Sequence, residues 1–287
     1  MTEAPRRIRL PRGELPLDQG TVIMGVVNVT PDSFSDGGRF LDRRAAVEQG
    51  LRLAAEGARI LDIGGETTRP GSEPTPAAVE LDRVLPVIRE LKARCDAVLS
   101  IDTNKAEVAA AACTAGAEII NDITALQGDP EMAALAARSR AGLVLMHMLG
   151  TPRTMQQDPH YDDVVSEVRD FLAAQARAAL AAGVEREAIV LDPGIGFGKT
   201  LTHNLELIRN LPALTRLGYP VLLGASRKAF IGHLTGRATP ADRVWGSLGV
   251  HLLGAALGAQ IVRVHDVAPL RDALLVGDAV MAAREAS

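Results

Sequence analysis

The sequence predicts a single-domain α/β fold, the (β/α)8 TIM barrel, on the basis of three observations. Short runs of β-branched and leucine residues recur eight times, at residues 22–29, 60–63, 98–101, 119–120, 143–148, 189–191, 221–223 and 261–264. These runs are continuous rather than alternating, which is typical of parallel strands covered on both faces. Ala-rich helical segments separate most of them, and eight such units in 287 residues match a barrel of ordinary size.

A doubly wound open sheet is the alternative arrangement of these units. We favour the barrel because eight parallel strands close naturally and because polar residues follow nearly every strand. No linker-like stretch divides the chain, and no repeat is visible beyond the alternation itself. We therefore expect residues 1–20, which are rich in proline and charge, to be an N-terminal lead segment, and residues 21–287 to form one barrel domain.

Local signals mark several helix boundaries. Thr75 and Pro76 suit the N-cap and first turn of the second helix, and Pro86 should kink that helix. Gly183 suits the end of a later helix. The connection after the third strand is short, yet residues 105–116 allow about three helical turns.

Composition restricts the class of protein and its partners. A formal net charge of −4 without a long basic run argues against nucleic acid. The basic residues 1–11 lack the apolar core of a signal peptide, and no run approaches the roughly 18 apolar residues of a membrane span. Cys95 and Cys113 lack metal-ligand spacing and suit a reducing compartment. We expect a cytoplasmic protein with small-molecule partners and no membrane partner.

The stretch 192–200 is the richest motif, because a predicted strand ends there at Asp192 and three alternating glycines follow. It does not match a Walker A loop, since Pro193 occupies the position of the first glycine. It does not match the dinucleotide fingerprint either, since Lys199 stands where the third glycine belongs. What remains is a strand that ends in a carboxylate, with a backbone that a ligand can approach closely. For Lys199, a solvated or packing role and a role in anion binding are both open.

Polar residues at the carboxyl ends of the predicted strands form the candidate site, because function in such barrels lies there. Asp102, Asn121 and Asp192 would converge from the third, fourth and sixth strands, a group suited to a flat heterocycle rich in N–H donors. Residues 226–228 and 263–265, which include cationic side chains, follow the last two strands, where barrels commonly bind phosphate. The sequence thus predicts a pocket for a nitrogen-rich ring with a phosphate-like tail.

Several members of this set also have simpler interpretations. Asp122 and Asp266 could be helix caps or turn residues. His147, without a second ligand at metal spacing, is better explained as a core histidine. The loops at residues 28–38 and 64–71 could close over a ligand, although ordinary surface loops have the same composition.

Eight motifs occur in a fixed order: 28–38 (NVTPDSFSDGG), 62–71 (DIGGETTRPG), 100–103 (SIDT), 121–122 (ND), 146–148 (MHM), 192–199 (DPGIGFGK), 226–228 (SRK) and 263–266 (RVHD). Together they closely resemble the bacterial dihydropteroate synthase family over residues 21–285. The resemblance implies a (β/α)8 barrel that joins 6-hydroxymethyl-7,8-dihydropterin diphosphate to 4-aminobenzoate and releases pyrophosphate with the help of Mg²⁺.

The resemblance also implies roles for individual residues. The pterin would be held by Asp102, Asn121, Asp192 and Lys228. Arg263 would stack on the pterin ring and, with His265, hold the diphosphate, while Asn28 would bind the metal. Thr68 and Arg69 would bind the leaving group or shape the 4-aminobenzoate pocket. That pocket would be bordered by Ser226, Phe34 and Pro70.

Catalysis would need no protein nucleophile, which agrees with the lack of a convincing triad. The expected catalytic residues are Asp36, Lys228 and Arg263. Asp36, with Asp32 as a second candidate, would stabilise the cation left when pyrophosphate departs. Four residues differ from those common in the family: Thr67, Asn104, Ala225 and Ala229. They affect the details of the site and not the assignment to the family.

Two other functions stay open, a pterin-binding methyltransferase and a non-catalytic pterin-binding paralogue. The methyltransferase would not require the diphosphate side of the pocket, and the paralogue should have lost first-loop or Arg-Lys residues. Both sets of residues are present, which favours the synthase. Trp245 and the apolar stretch 248–257 suit a dimer surface, so we expect a homodimer.

Overall fold

The computed structural model describes residues 6–30, 38–67 and 71–285. They form a short antiparallel hairpin, β1 (Arg7–Leu10) and β2 (Gly13–Pro16), followed by parallel strands that alternate with helices. The parallel strands are β3 (Val22–Asn28), β4 (Ile60–Gly64), β5 (Val98–Asp102), β6 (Ile119–Asp122), β7 (Gly142–Met146), β8 (Ile189–Asp192), β9 (Leu222–Leu223) and β10 (Ile261–Val264). The helices are α1 (Gly38–Glu56), α2 (Ala77–Arg94), α3 (Ala106–Ala115), α4 (Met132–Ser139), α5 (Val164–Ala181), α6 (Leu201–Arg209), α7 (Leu211–Thr215), α8 (Ala229–Thr235), α9 (Val244–Ala256) and α10 (Val267–Glu285).

The eight parallel strands form a closed barrel. Their order is β8-β7-β6-β5-β4-β3-β10-β9. The two ends of this order meet at a parallel bridge between Leu191 and Val221, where the Leu191 N–H donates to the Pro220 carbonyl at 2.9 Å. The predicted (β/α)8 barrel is therefore confirmed, and the open doubly wound sheet is excluded.

All eight predicted strands are present, and the last has the predicted bounds, Ile261–Val264. The fifth was predicted over residues 143–148, but β7 ends at Met146. Its neighbour β8 ends at Asp192, directly opposite Met146, so no ladder continues beyond that point. His147 and Met148 consequently belong to the loop at the mouth of the barrel.

The hairpin closes the floor of the barrel. Exposed and buried residues alternate along β1, whose Ile8 and Leu10 face inward. They join one apolar cluster with the lower interior side chains of the barrel, among them Met24 and Ile60. A larger cluster fills the space between the strands and the helices. The expected lead segment thus includes an element that covers the end of the barrel opposite the strands' carboxyl ends.

The helix boundaries follow the sequence signals in part. Thr75 is not the N-cap of α2, because Pro76 precedes the first helical residue and no side chain caps it. The Thr75 N–H instead donates to Glu66 Oε1 at 3.2 Å. Pro86 lies inside α2, which continues through it to Arg94. Gly183 follows the end of α5 with a φ of +96°, the conformation expected of a terminating glycine.

In the part of the chain that the structure describes, no helix combines the length and the apolar character needed to cross a bilayer.

Candidate active site

The two carboxylates and the amide predicted from strands three, four and six meet at the carboxyl end of the barrel. Asp102 ends β5 and lies directly opposite Asn121 on β6. Asp192 ends β8, and its Oδ2 lies 3.8 Å from the position that a Cβ on Gly224 would occupy. Asn121 and Asp192 are buried, and Asp102 is nearly so. The three residues therefore lie at the same end of the barrel, as the order of strand ends predicts.

Arg263 links this group into one charged network. Its Nε donates to Asp62 Oδ2 at 2.6 Å, and its Nη2 donates to Asp102 Oδ2 at 2.7 Å. The Asn121 amide donates to the same Asp62 oxygen at 3.0 Å. One buried carboxylate thus orients both the arginine and the amide of the site.

Sequence analysis assigned Asp62 no role in the site, although it is fully buried and its Oδ1 has no hydrogen-bond partner among the described residues. It opens the 62–71 motif and lies two residues before the end of β4, but the resemblance gave it no role of its own. Its signal was present as a carboxylate inside an otherwise apolar strand, which is costly unless it is paired.

Burial shifts the titration of the acidic residues toward neutral pH. It raises the pKa of Asp192 to about 6, against the lowering effects of the Gly194 N–H and Lys228. It also raises the pKa of Asp102 to about 7, although the Arg263 charge opposes this. Burial alone would lower the pKa of Arg263, but Asp62 and Asp102 together raise it above its usual value. The arginine is therefore a permanent cation beside two carboxyl groups.

The glycine loop after β8, residues 193–198, has three positions of positive φ, which glycine adopts without the strain that other residues would meet. Gly194, Gly196 and Gly198 have φ values of +66°, +82° and +66°. A Cβ on Gly194 would lie 1.8 Å from the His147 carbonyl oxygen. The Gly194 N–H donates to Asp192 Oδ1 at 2.7 Å, which fixes the carboxylate and leaves Oδ2 for a ligand.

Lys228 extends from the segment after β9 toward this loop. Its Nζ lies 3.8 Å from the centroid of the Phe197 ring, at cation–π distance. A Cβ on Gly196 would come within 2.9 Å of Lys228 Cδ, so the glycine makes room for the lysine stem. Burial and the Arg263 charge lower the pKa of Lys228 to about 7, while Asp192 and Asp102 oppose the shift. This lysine lies between the acidic half of the pocket and its basic half.

His265 and Ser226 form the remaining part of the basic half. Ser226 Oγ accepts the His265 backbone N–H at 3.2 Å and lies 3.0 Å from its Nδ1. Burial and the Arg263 charge lower the pKa of His265 to about 3, so the ring is neutral at physiological pH. A neutral imidazole whose Nδ1 accepts the serine hydroxyl presents Nε2–H as a donor.

Arg227 is engaged in an ion pair with Asp266, although its charge also helps to lower the pKa of His265. Its guanidinium makes two hydrogen bonds to Asp266, at 2.9 and 2.5 Å, and its φ is +58°. Asp266, for which a capping or turn role was considered, is therefore the ion-pair partner of Arg227. Asp122 does behave as a turn residue, since it accepts hydrogen bonds from Thr124 and Leu126.

Asn28 lies half-buried at the end of β3, opposite Gly64. Five other residues assigned to the site lie outside the described residues: Phe34, Asp36, Thr68, Arg69 and Pro70. Among the residues that the structure does describe, no group of three His, Cys, Asp or Glu side chains could hold a metal ion.

The loop after β4 is fixed at its base by a buried charge cluster. Lys105 Nζ contacts Glu66 Oε2, and it donates to Glu80 Oε2 at 2.7 Å. Glu80 is fully buried on α2. On the other side, the Gly71 N–H donates to the Pro152 carbonyl at 3.0 Å, which ties this loop to the segment after β7. Both ends of residues 66–71 are thus held in place around the mouth of the barrel.

Comparisons with known proteins agree with this geometry. The family model described as "Pterin binding enzyme" matches residues 24–265. The chain is 46% identical over 273 residues to the dihydropteroate synthase of Synechocystis sp., with 94% of each sequence covered. The solved structure of Xanthomonas albilineans dihydropteroate synthase with 4-aminobenzoic acid has a TM-score of 0.91 and 51% identity, covering 96% of this chain and 98% of that one. The complex of the X. albilineans enzyme with 7,8-dihydropteroate has a TM-score of 0.86 and 50% identity, covering 94% of this chain and 96% of that one.

The fold and the acidic pocket at the strand ends define a pterin-binding barrel enzyme. The chain belongs to the pterin-binding enzyme family and, within it, to the dihydropteroate synthases.

Proposed function

We propose that the protein condenses 6-hydroxymethyl-7,8-dihydropterin diphosphate with 4-aminobenzoate, giving 7,8-dihydropteroate and pyrophosphate. It is a transferase of the pterinylmethyl group. The observation that carries the proposal is the convergence of Asp102, Asn121 and Asp192 with Lys228 and Arg263 at one end of the barrel.

The acidic half of the pocket matches the donors of a pterin. A dihydropterin ring presents an amino group and ring N–H groups along its edge, and carboxylate and amide oxygens accept such donors. Asp192 Oδ2 and the carbonyl oxygen of Asn121 supply acceptors at the ends of β8 and β6. Because these groups are buried, hydrogen bonds to a ring contribute more than they would in water.

The basic half suits the diphosphate. Arg263 uses two of its N–H groups on Asp62 and Asp102 and has others left for an anion and for stacking on the ring. The neutral His265 adds a donor, and Lys228 adds a charge close to both halves. We assign Ser226, Phe34 and Pro70 to the border of the 4-aminobenzoate pocket and Thr68 and Arg69 to the leaving group. Those assignments rest on the motif resemblance.

The residues near Asn28 fit a magnesium ion that is held mainly by its substrate. Mg²⁺ prefers oxygen ligands and commonly combines one or two protein oxygens with substrate phosphates and waters. A single amide oxygen at the end of β3, beside a pocket built for a diphosphate, matches this pattern. When bound, the ion would offset the negative charge that develops on the departing pyrophosphate.

The reaction then needs no protein nucleophile. Arg263 and Lys228 would stabilise charge on the leaving group and hold the ring, and Asp36 would stabilise the methylene cation that remains. The aniline nitrogen of 4-aminobenzoate attacks this carbon and loses a proton. If Asp36→Ala turned over normally, Asp36 would have no part in catalysis.

Two further properties belong to this proposal. We infer a homodimer, because α9 and α10 pack together and expose apolar side chains, among them Trp245, Leu253, Leu275 and Val276. An adjoining apolar groove of about 440 Å³, lined by Leu234 and Leu253 among others, extends this surface. We also infer a cytoplasmic location, which suits the two free cysteines of the structure.

The purified protein tests the function directly. With the dihydropterin diphosphate, 4-aminobenzoate and Mg²⁺, we expect release of one pyrophosphate for each dihydropteroate formed. Omission of 4-aminobenzoate should abolish dihydropteroate formation. Binding of methyltetrahydrofolate without any pyrophosphate release would instead support a methyltransferase, and binding of pterin without turnover would support a non-catalytic paralogue.

A further inference from the structure

Lys199 is a buried cation that the proposed reaction does not use. Its side chain lies in the wall between the glycine loop and the end of β7, and the residue is 3% exposed. Its Nζ lies 2.9 Å from the Phe197 carbonyl oxygen, 3.0 Å from His147 Nδ1 and 3.5 Å from the His147 carbonyl oxygen. Within the described residues, no carboxylate lies at ion-pair distance from it. Neutral acceptors therefore hold this ammonium group.

His147 is a fixed acceptor for this ammonium group. Its ring contacts the Phe171 ring edge-on, with centroids 4.9 Å apart, and lies 6.0 Å from the Tyr161 ring. Burial and the Lys199 charge lower the pKa of His147 to about 3, so the ring is neutral at physiological pH. The tautomer protonated on Nε2 leaves Nδ1 to accept from Lys199 Nζ. The buried core histidine expected from the sequence thus also positions Lys199.

Packing alone does not explain a lysine in this position. Burying an ammonium group without a carboxylate partner costs free energy that an apolar side chain of the same length would not. Burial lowers the pKa of Lys199 to about 7; the Asp192 charge opposes this shift, and the Lys228 charge adds to it. The hydrogen bonds that the ammonium group makes must therefore serve another purpose.

Those bonds hold one peptide of the glycine loop. Other groups hold the neighbouring carbonyl oxygens: Gln156 donates to Gly196 at 2.8 Å, and the Tyr161 hydroxyl donates to Gly198 at 2.8 Å. The Phe197 carbonyl lies between two glycines with positive φ and receives the Lys199 ammonium. The Phe197 N–H is also held, since it donates to the Gly194 carbonyl at 3.1 Å. Glycines with positive φ flank Phe197, so the bond from Lys199 supplies the constraint on the Phe197 carbonyl oxygen.

The Phe197 peptide leads directly to the site. The ring of Phe197 lies under Lys228 Nζ at 3.8 Å, and the lysine stem passes over Gly196. A rotation of the Phe197 peptide would move this ring and remove the surface on which Lys228 rests.

We propose that Lys199 is a positioning residue for the reaction. By binding the Phe197 carbonyl, it fixes the Phe197 ring and, through that ring, the Lys228 ammonium against the pterin. This inference rests on the proposed function, because the contact of Lys228 with the pterin is part of that proposal.

A double-mutant cycle tests whether Lys199 acts through Lys228. The variants are Lys199→Met, Lys228→Met and the double variant, each assayed for kcat and for KM of both substrates by pyrophosphate release. We expect Lys199→Met to lower kcat/KM at least about tenfold, the effect of one lost charge-assisted hydrogen bond. In the Lys228→Met background, the same change should have an effect of less than about threefold, because coupled residues are not additive.

Lys92→Met is the matched control. Lys92 lies on α2, away from the pocket, and its Nζ makes an ion pair with Glu118 Oε1 at 2.7 Å. The Lys92→Met variant loses the same ammonium group, and with it the ion pair to Glu118. Any general effect of a lysine-to-methionine change on stability should therefore appear in this variant too. We expect its kinetic constants to match those of the wild type.

The outcomes separate the two proposals. A wild-type protein without pyrophosphate release overturns the proposed function itself, before any variant is compared. An active wild type in which the Lys199→Met and Lys228→Met effects simply multiply overturns the positioning role. Lys199→Met with wild-type kinetics overturns it as well.

If circular dichroism shows that Lys199→Met does not fold, Lys199→Gln takes its place, since glutamine is too short to reach the Phe197 carbonyl but remains polar. The same coupling with Lys228→Met is expected of it, and multiplying effects would again overturn the positioning role.

Discussion

At the scale of single residues, Asp192 shows how burial and hydrogen bonding prepare a side chain for its ligand. Oδ1 is occupied by the Gly194 N–H, whereas Oδ2 faces the region between Gly224 and Arg263. Burial raises the pKa of the carboxyl to about 6, yet Lys228 and Arg263 keep it ionised at neutral pH. It is therefore a charged acceptor with one oxygen already fixed in place.

We predict that Asp192→Asn weakens pterin binding by about 10- to 100-fold, the range for one hydrogen bond to a charged group. Pyrophosphate binding should change by less than about threefold, because the proposed anion site is built from residues that follow other strands. Isothermal titration with the pterin alone and with pyrophosphate alone measures the two effects. Equal loss of both ligands would mean that the glycine loop binds phosphate after all.

The raised pKa of Asp192 leads us to predict that pterin binding depends on pH. Below pH 6 the free protein carries a protonated Asp192, which must lose its proton before both oxygens can accept hydrogen bonds. Pterin affinity should therefore fall with decreasing pH, and the advantage of the wild type over Asp192→Asn should be about tenfold smaller at pH 5 than at its plateau. Affinities measured from pH 5 to pH 8 on both proteins check this. A constant ratio over that range would contradict it.

The site residues that could be predicted from the sequence are placed by the fold, whereas those that could not be predicted depend on contacts between distant residues. Asp102, Asn121 and Asp192 could be predicted because a strand end in a barrel fixes where a side chain lies. The role of Asp62 depends on contacts with Arg263, which is 201 residues away in the chain. The burial of Lys199 depends on His147, 52 residues away. Neither contact leaves a local pattern in the sequence.

At the scale of elements, the β1–β2 hairpin has a role that the sequence did not indicate. Its strands are only four residues long: β1 alternates arginine with apolar residues, and β2 contains a glycine, a glutamate and a proline, so both resemble a charged lead segment. The barrel strands are continuous apolar runs and were therefore recognised with nearly correct ends. The difference lies in burial, since one face of the hairpin is exposed and both faces of the barrel strands are covered.

We predict that Ile8→Ala lowers the free energy of unfolding by about 2–5 kcal/mol, because it opens a cavity in the floor of the barrel. The KM values should not change, since Ile8 lies at the end of the barrel opposite the site. Arg7→Ala is the control on the same strand, where the side chain is exposed and a change within about 0.5 kcal/mol is expected. Urea unfolding measures both. An Ile8→Ala protein as stable as the wild type would show that the hairpin does not close the core.

At the scale of the whole molecule, the closed barrel exposes its strand ends on one side and the α9–α10 surface on its flank. Val276 on α10 and Trp245 on α9 are both mostly exposed, the latter at 78%. If two copies meet at this surface, Val276→Glu places a charge in an apolar interface and should convert the dimer to a monomer. Light scattering after size exclusion measures the mass, with Leu180→Glu on α5 as the control. A wild type that is monomeric at micromolar concentration would contradict the dimer.

The central claim is that the two parts of the substrate bind to different halves of one site. The pterin ring binds to the acidic half, and the diphosphate binds to the residues after β3, β4, β9 and β10. A crystal structure with bound 7,8-dihydropteroate and pyrophosphate tests it most directly. We predict that the edge of the ring lies within hydrogen-bond distance of Asn121 and Asp192, with Arg263 over its face and pyrophosphate near His265. A pyrophosphate bound to the backbone N–H groups of residues 194–198, or a ring that contacts neither Asn121 nor Asp192, would contradict this assignment.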